Sequence, residues 1–280
     1  MVRYKVGRLS RGGGRWWAPL FSVTLFSLLL LLSACSRENG ADLFERGERL
    51  LGDGEYREAL EVYQTLTDNY PKSSFAPASK YRIGMIHYLH TGNLKDALDS
   101  HLSLIFLYPE SKEIALARKD MAEIYTRNGE YKKAIGEYQW LVDHGKGEAR
   151  DDFRYNIALE YQKLSDFKQS IIELQDILKN SPASSLLPKL YFQIATNYYL
   201  DGNKEEAVKT YDTLTEHYST DPLSLEARLG KAVILEEMGQ LREAAALLES
   251  LLEVYPNRAA IEVRLKWVKK RIRERASRRR

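Results

Sequence analysis

Few side chains in this 280-residue chain are able to do covalent or metal chemistry. Cys35 is its single thiol, and His87, His90, His101, His144 and His217 are its only imidazoles. His87 and His90, at i and i+3, share one helix face and have the spacing to share a metal ion. No third histidine or carboxylate stands where it would complete a known site, so no metal is expected. His101 falls at a packing position of its helix. Gly12-Gly13-Gly14 lacks the strand, lysine and hydroxyl residue of a phosphate loop. No nucleophile, base and orienting group come together, which argues against an enzyme and against a cofactor. One cysteine also excludes an internal disulfide framework, so stability rests on packing.

Cys35 has a setting of its own. Arg3, Lys5, Arg8, Arg11 and Arg15 precede an uncharged run from Trp16 to Ala34. The most apolar part of that run, Leu20–Leu32, has the length of a secretory h-region and is short for a bilayer span. It ends in Leu32-Ser33-Ala34-Cys35, which resembles the lipobox of bacterial lipoproteins. The resemblance implies that residues 1–34 are a signal peptide, that Cys35 is acylated, and that 35–40 is a short linker to the folded body. Several acyl chains, at about 0.8 kcal/mol per buried CH₂, hold such a protein on a membrane. The alternative is an uncleaved anchor at Trp16–Ala34. Ser36, in place of an aspartate, points by the enterobacterial sorting pattern to the periplasmic face of the outer membrane.

Charge is unevenly divided. Residues 1–34 carry five basic and no acidic residues, residues 264–280 carry ten basic residues against Glu274, and 36–263 carry 27 basic against 38 acidic. A near-neutral total thus hides a basic leader, an acidic body and a basic tail. Export removes nucleic acid as the partner of that tail.

The body is repetitive. Gly54-Glu55-Tyr56-x-x-Ala59-Leu60-x-x-Tyr63-x-x-Leu66-x-x-x-Tyr70-Pro71 recurs from Gly92, Gly129, Ser165, Gly202 and Gly239, at intervals of 36 to 38 residues. In each copy a small residue (Ala59, Ala97, Ala134, Ser170, Ala207, Ala244) lies on an apolar stripe at helical spacing. A second small residue (Gly47, Ala122, Ala158, Ala195, Ala232) stands seven before the turn; in the second copy Gly84 stands eight before. The pattern predicts a helix, a glycine turn and a second helix, crossing at the small residues, with Tyr70-Pro71, Tyr108-Pro109 and Tyr255-Pro256 ending the second helix in their copies.

These features resemble the tetratricopeptide repeat. The resemblance implies an all-α, right-handed solenoid of six hairpins, at about 41–74, 75–111, 112–147, 148–184, 185–221 and 222–258, with 259–280 as a basic capping helix and tail. Leu66, Leu104, Leu141, Leu214 and Leu251, where the family usually has alanine, together with the longer period, are similar to the envelope subgroup that includes BamD/YfiO and CpoB/YbgF-type lipoproteins. That likeness implies a protein-binding scaffold whose partners are outer-membrane assembly machinery or, in a pilotin-like reading, a secretin. A CpoB-like coordinator of the envelope and division is the further alternative. Copy three has Gly145-Lys146 in place of Tyr-Pro, a point where curvature can change.

In this family the first helix of each hairpin lines a concave groove. Repeat position then assigns Tyr81, Tyr88, Lys119, Glu123, Arg127, Tyr155, Phe192 and Tyr199 to partner binding, with rigid rings as anchors. Three readings stand for the tail residues Lys269, Lys270, Arg271, Arg278, Arg279 and Arg280: a solvated cap, a clasp on the acidic body, or a contact to anionic headgroups or an acidic partner.

Overall fold

The structure, a computed structural model, describes residues 40–278; the leader, Cys35 and the last two arginines, Arg279 and Arg280, lie outside the described residues. Thirteen α-helices and no strand occur among the described residues. They pair as α1 (Ala41–Gly52) with α2 (Tyr56–Asn69), α3 (Ala76–Ile86) with α4 (Leu94–Leu107), and α5 (Ile114–Arg127) with α6 (Tyr131–His144). The series continues with α7 (Glu148–Lys163) and α8 (Phe167–Asn180), α9 (Leu187–Leu200) and α10 (Lys204–His217), and α11 (Pro222–Glu237) and α12 (Leu241–Leu251). A thirteenth helix, α13 (Arg258–Ser277), closes the stack. The fold is an all-helical solenoid of tetratricopeptide type.

The repeated stripe forms the core. Ala59, Tyr63 and Leu66 of α2 are fully buried, and so are their equivalents Ala97, His101 and Leu104 of α4. Ala207, Tyr211 and Leu214 of α10 follow the same rule, with no more than 4% exposure. Each leucine withdrawn this way contributes roughly 2–3 kcal/mol, which no single hairpin could gather without its neighbours. The fourth copy places Ser170 at the small position. Its hydroxyl donates to the Ala158 carbonyl at 2.7 Å and accepts from Asn197 Nδ2 at 2.7 Å, which satisfies the buried oxygen.

Every hairpin turns through one residue of positive φ: Gly54, Gly92, Gly129, Gly202 and Gly239 at 68° to 84°, and Ser165 at 60°. Ser165 is the one non-glycine residue of positive φ among the described residues. A side chain in that left-handed well costs about 1 kcal/mol. Ser165→Gly is therefore expected to raise stability by about 0.5–1 kcal/mol, read as a higher midpoint in urea at unchanged slope. A loss of stability would show that Ser165 makes a compensating contact.

The extra residue of the second copy is taken up inside the helix. After Ile86, residues His87–Thr91 form a π-helical turn that leads into Gly92. The insertion thereby leaves Gly84 opposite His101 and moves no core residue out of register. In α13, Ile261, Leu265 and Val268 are buried against α11 and α12, with Ile272 half-buried beside them, so the helix supplies the face that a seventh repeat would have covered.

Candidate functional site: the inner helix row

Close contacts between alternate helices join first helices, α3 to α5 and α9 to α11, as a stack curving toward its first helices requires. That inner row is pinned by polar bonds at the α1–α3, α3–α5, α7–α9, α9–α11 and α11–α13 junctions. Between α1 and α3, Arg82 donates to both carboxylate oxygens of Glu48, at 2.7 and 3.0 Å, and Tyr63 Oη adds a third bond at 2.6 Å. Burial opposes ionisation of Glu48, but the bonds from Arg82 and Tyr63 outweigh it and hold its carboxyl below the usual range. Burial and the same carboxylate push the Tyr63 hydroxyl well up.

Between α5 and the π turn that follows α3, Tyr88 Oη donates to Glu123 at 2.7 Å and the Arg127 guanidinium sits 4.7 Å above the Tyr88 ring, while within α5 Lys119 pairs with Glu123 at 3.0 Å. Four of the eight residues marked by repeat position thus form one network. The Tyr88 ring is only 4% exposed, so it supports Glu123 and Arg127 from below and offers a partner little surface. Its hydroxyl is raised by burial and by Glu123. Tyr81 is half-buried, with its ring 5.7 Å from that of His101, and burial together with Asp120 pushes its hydroxyl up to about 12. Further along, Gln193 donates to Gln162 at 2.7 Å, and Tyr199 Oη donates to Glu237 at 2.7 Å. Tyr155 and Phe192 are half-buried, the latter 5.7 Å from the Tyr211 ring.

The row ends on α13. Glu236 accepts from Arg264 at 3.1 Å and from Arg271 at 2.6 Å. Lys269 pairs with Glu249 at 2.7 Å, and Arg275 donates to the Gly239 carbonyl at 2.9 Å. Lys270 lies over the Trp267 ring at 5.2 Å, while Arg278 is exposed. Part of the basic helix therefore clasps the body. Beside these bonds α11 and α13 leave a hollow of about 450 Å³, lined by Leu229, Val233, Val263 and Trp267. Trp267 is 58% exposed there. Repeat position does not find this hollow, because α13 is not a copy of the repeat; extending the first-helix stripe from Leu229 and Val233 across to Val263 and Trp267 would have shown it.

His87 and His90 have parted company. His87 Nδ1 lies 3.4 Å from Thr91 Oγ1, whereas the His90 ring stacks on Tyr56 at 3.8 Å. Among the described residues, no three His, Cys, Asp or Glu side chains gather to hold a metal ion, and no helix is long and apolar enough to cross a membrane.

Comparison with known proteins agrees with this architecture. Residues 44–112 and 192–259 match the tetratricopeptide repeat family. A tetratricopeptide repeat protein from Parabacteroides merdae, 20% identical, superposes with a TM-score of 0.60 over 83% of this chain and 88% of that one. The C-terminal part of a TPR repeat-containing protein from Cytophaga hutchinsonii, 19% identical, gives 0.58 over 75% and 78%. YrrB, described as a TPR protein with an unusual peptide-binding site, is 16% identical and gives 0.52 over 74% and 99%. No curated protein matches the chain in sequence. The described residues therefore have the tetratricopeptide-repeat fold, and two stretches of the chain, 44–112 and 192–259, carry that family's repeat.

Proposed function

We propose that this chain is a lipid-anchored scaffold on the periplasmic face of a bacterial outer membrane, tethered through acylated Cys35, that holds a segment of another envelope protein on its inner helix row. The observation that carries the binding reading is the row itself. Its carboxylates are held by Arg82, Lys119 and tyrosine hydroxyls, Arg127 lies on the Tyr88 ring, and Tyr81, Phe192 and Tyr199 are each held by a neighbouring side chain. Binding to such a surface orders few side chains, which favours an extended or helical protein segment. The peptide-binding site described for YrrB is consistent with this use of the fold. The tether reading is supported by the lipobox-like Leu32-Ser33-Ala34-Cys35.

Among envelope partners, the outer-membrane protein assembly machinery is favoured by the likeness of the repeats to BamD-type lipoproteins. Affinity capture of the lipidated protein from solubilised envelopes is expected to recover a barrel-assembly component, and a deletion strain is expected to show depleted outer-membrane proteins. Normal levels of those proteins with no such component captured would overturn the assembly role. A secretin left in the inner membrane of the same strain would instead establish the pilotin-like role.

A further inference from the structure

The six hairpins are copies of one design, so a position that departs in a single copy stands out. Five residues after the small residue of the second helix, the other copies carry glutamine, aspartate or glutamate; nine after it they carry aspartate, lysine or glutamate. The second copy carries Leu102 and Phe106 at these positions. Phe106 is 82% exposed, Leu102 47% and the adjacent Leu107 56%. Along the outer stripe of α4, Lys95 and Asp99 occupy the first half in the usual way, and only the C-terminal half is apolar. Scattered exposed leucines are ordinary on a protein surface, but a leucine and a phenylalanine one turn apart where five sister copies are polar, with Leu107 exposed beside them, are not.

The place of this patch suggests what covers it. Gly40, the first described residue, packs against Leu66 and Ser73, at the end of α2 and in the loop before α3. Tyr108, directly after Leu107, donates its hydroxyl to the Pro71 carbonyl of that same loop at 3.0 Å. Gly40 and the apolar end of α4 therefore share one edge of the solenoid. Cys35 precedes Gly40 by five residues, a reach of about 18 Å at most.

We infer that Leu102, Phe106 and Leu107 rest in the headgroup and acyl boundary of the membrane that holds the Cys35 lipid, and so fix how the solenoid stands on that membrane. This rests on the lipid-anchor reading above. Phenylalanine and leucine on the outer face of a helix lying in the interface bury about 5–10 Å into that boundary. With a tether at one point and an apolar contact at a second, the solenoid cannot swing freely, and its inner row keeps one direction relative to the surface.

The test uses the acylated protein reconstituted in vesicles of phosphatidylethanolamine and phosphatidylglycerol. Acylation consumes the native thiol, so Leu107→Cys supplies a unique site for an environment-sensitive fluorophore; Leu89→Cys, exposed at the opposite, turn-bearing edge, is the control. Quenching by spin-labelled lipid is expected to be at least about threefold greater at position 107 than at 89, and Leu102→Asp with Phe106→Asp is expected to remove the difference. Equal quenching at both sites in an acylated sample overturns the inference and leaves the tether intact. A label at 107 shielded from lipid and water alike, with self-association that Phe106→Asp reverses, overturns it in favour of a second copy of the chain. A sample whose mass shows no acyl chains removes the tether reading and this inference together.

Discussion

Gly84→Ala is expected to destabilise the protein by about 2–3 kcal/mol, because the added methyl would fall inside a closely packed helix crossing, as it would at the counterpart Gly47. A Cβ at position 84 would lie 2.5 Å from His101 Cε1 and 2.6 Å from Nδ1, and the ring has nowhere to retreat. His101 is fully buried, its Nε2 stands 3.4 Å from Asp120 Oδ2, and the Tyr81 ring closes the remaining side. Either the crossing of α3 over α4 opens or the imidazole leaves a site it shares with a carboxylate. Because a solenoid propagates order only between neighbours, loosening the second hairpin also uncouples the first from the rest of the stack. Urea denaturation followed by far-ultraviolet circular dichroism measures the loss. Gly136→Ala, in the middle of α6 with nothing within 4 Å of the new methyl, is the matched control and is expected to gain about 0.5–1 kcal/mol from helix propensity. Adding His101→Ala to Gly84→Ala should cost less than the sum of the two singles by at least about 1 kcal/mol, since the methyl then occupies space the ring has left. A loss below 1 kcal/mol for Gly84→Ala alone would mean that the hairpin crossing is looser than the structure shows.

What the sequence made readable follows from the repeat. Six copies impose the same steric demands on the same positions, so the small residues at each crossing, the positive-φ turns and the buried stripe can be read by comparing the chain with itself. Ser165 is the instructive exception, adopting the glycine conformation because both helices beside it dictate the turn. The extra residue before Gly92 is visible as a count, but a count does not say whether a loop or a helix absorbs it; the π turn does so because Gly84 and the turn glycine are both held in place.

The inner face was harder to read. Repeat position puts Tyr88, Lys119, Glu123 and Arg127 near one another, and they form one network, but it does not show that the Tyr88 ring lies beneath the charges and is buried. The bonds from Arg82 to Glu48 and from Tyr199 to Glu237 join residues 34 and 38 apart, and their formation depends on the curvature of the stack, which no local pattern encodes. The hollow beside Trp267 escaped for a different reason: α13 supplies the missing face without sharing the repeat's sequence.

The second large effect concerns Cys35. Cys35→Ser removes the only thiol that can receive a lipid, and nearly all of the protein is expected to leave the outer-membrane fraction. With no thiol to receive the first lipid, that protein carries no acyl chain, so partial retention in the fraction would report that some other contact persists. Such residual binding, if Leu102→Asp with Phe106→Asp abolishes it, belongs to the apolar end of α4. Helical content and the denaturation midpoint should not change, because the substitution lies outside all thirteen described helices.

A mass measurement on the mature amino terminus, made on protein isolated from the envelope, goes straight to the tethered scaffold on which the functional reading stands. The expected species begins at residue 35, lacks residues 1–34, and carries a diacylglyceryl group on sulfur with a further acyl chain on nitrogen. A terminus that still begins at Met1, or a Cys35 bearing a free thiol, would contradict the account.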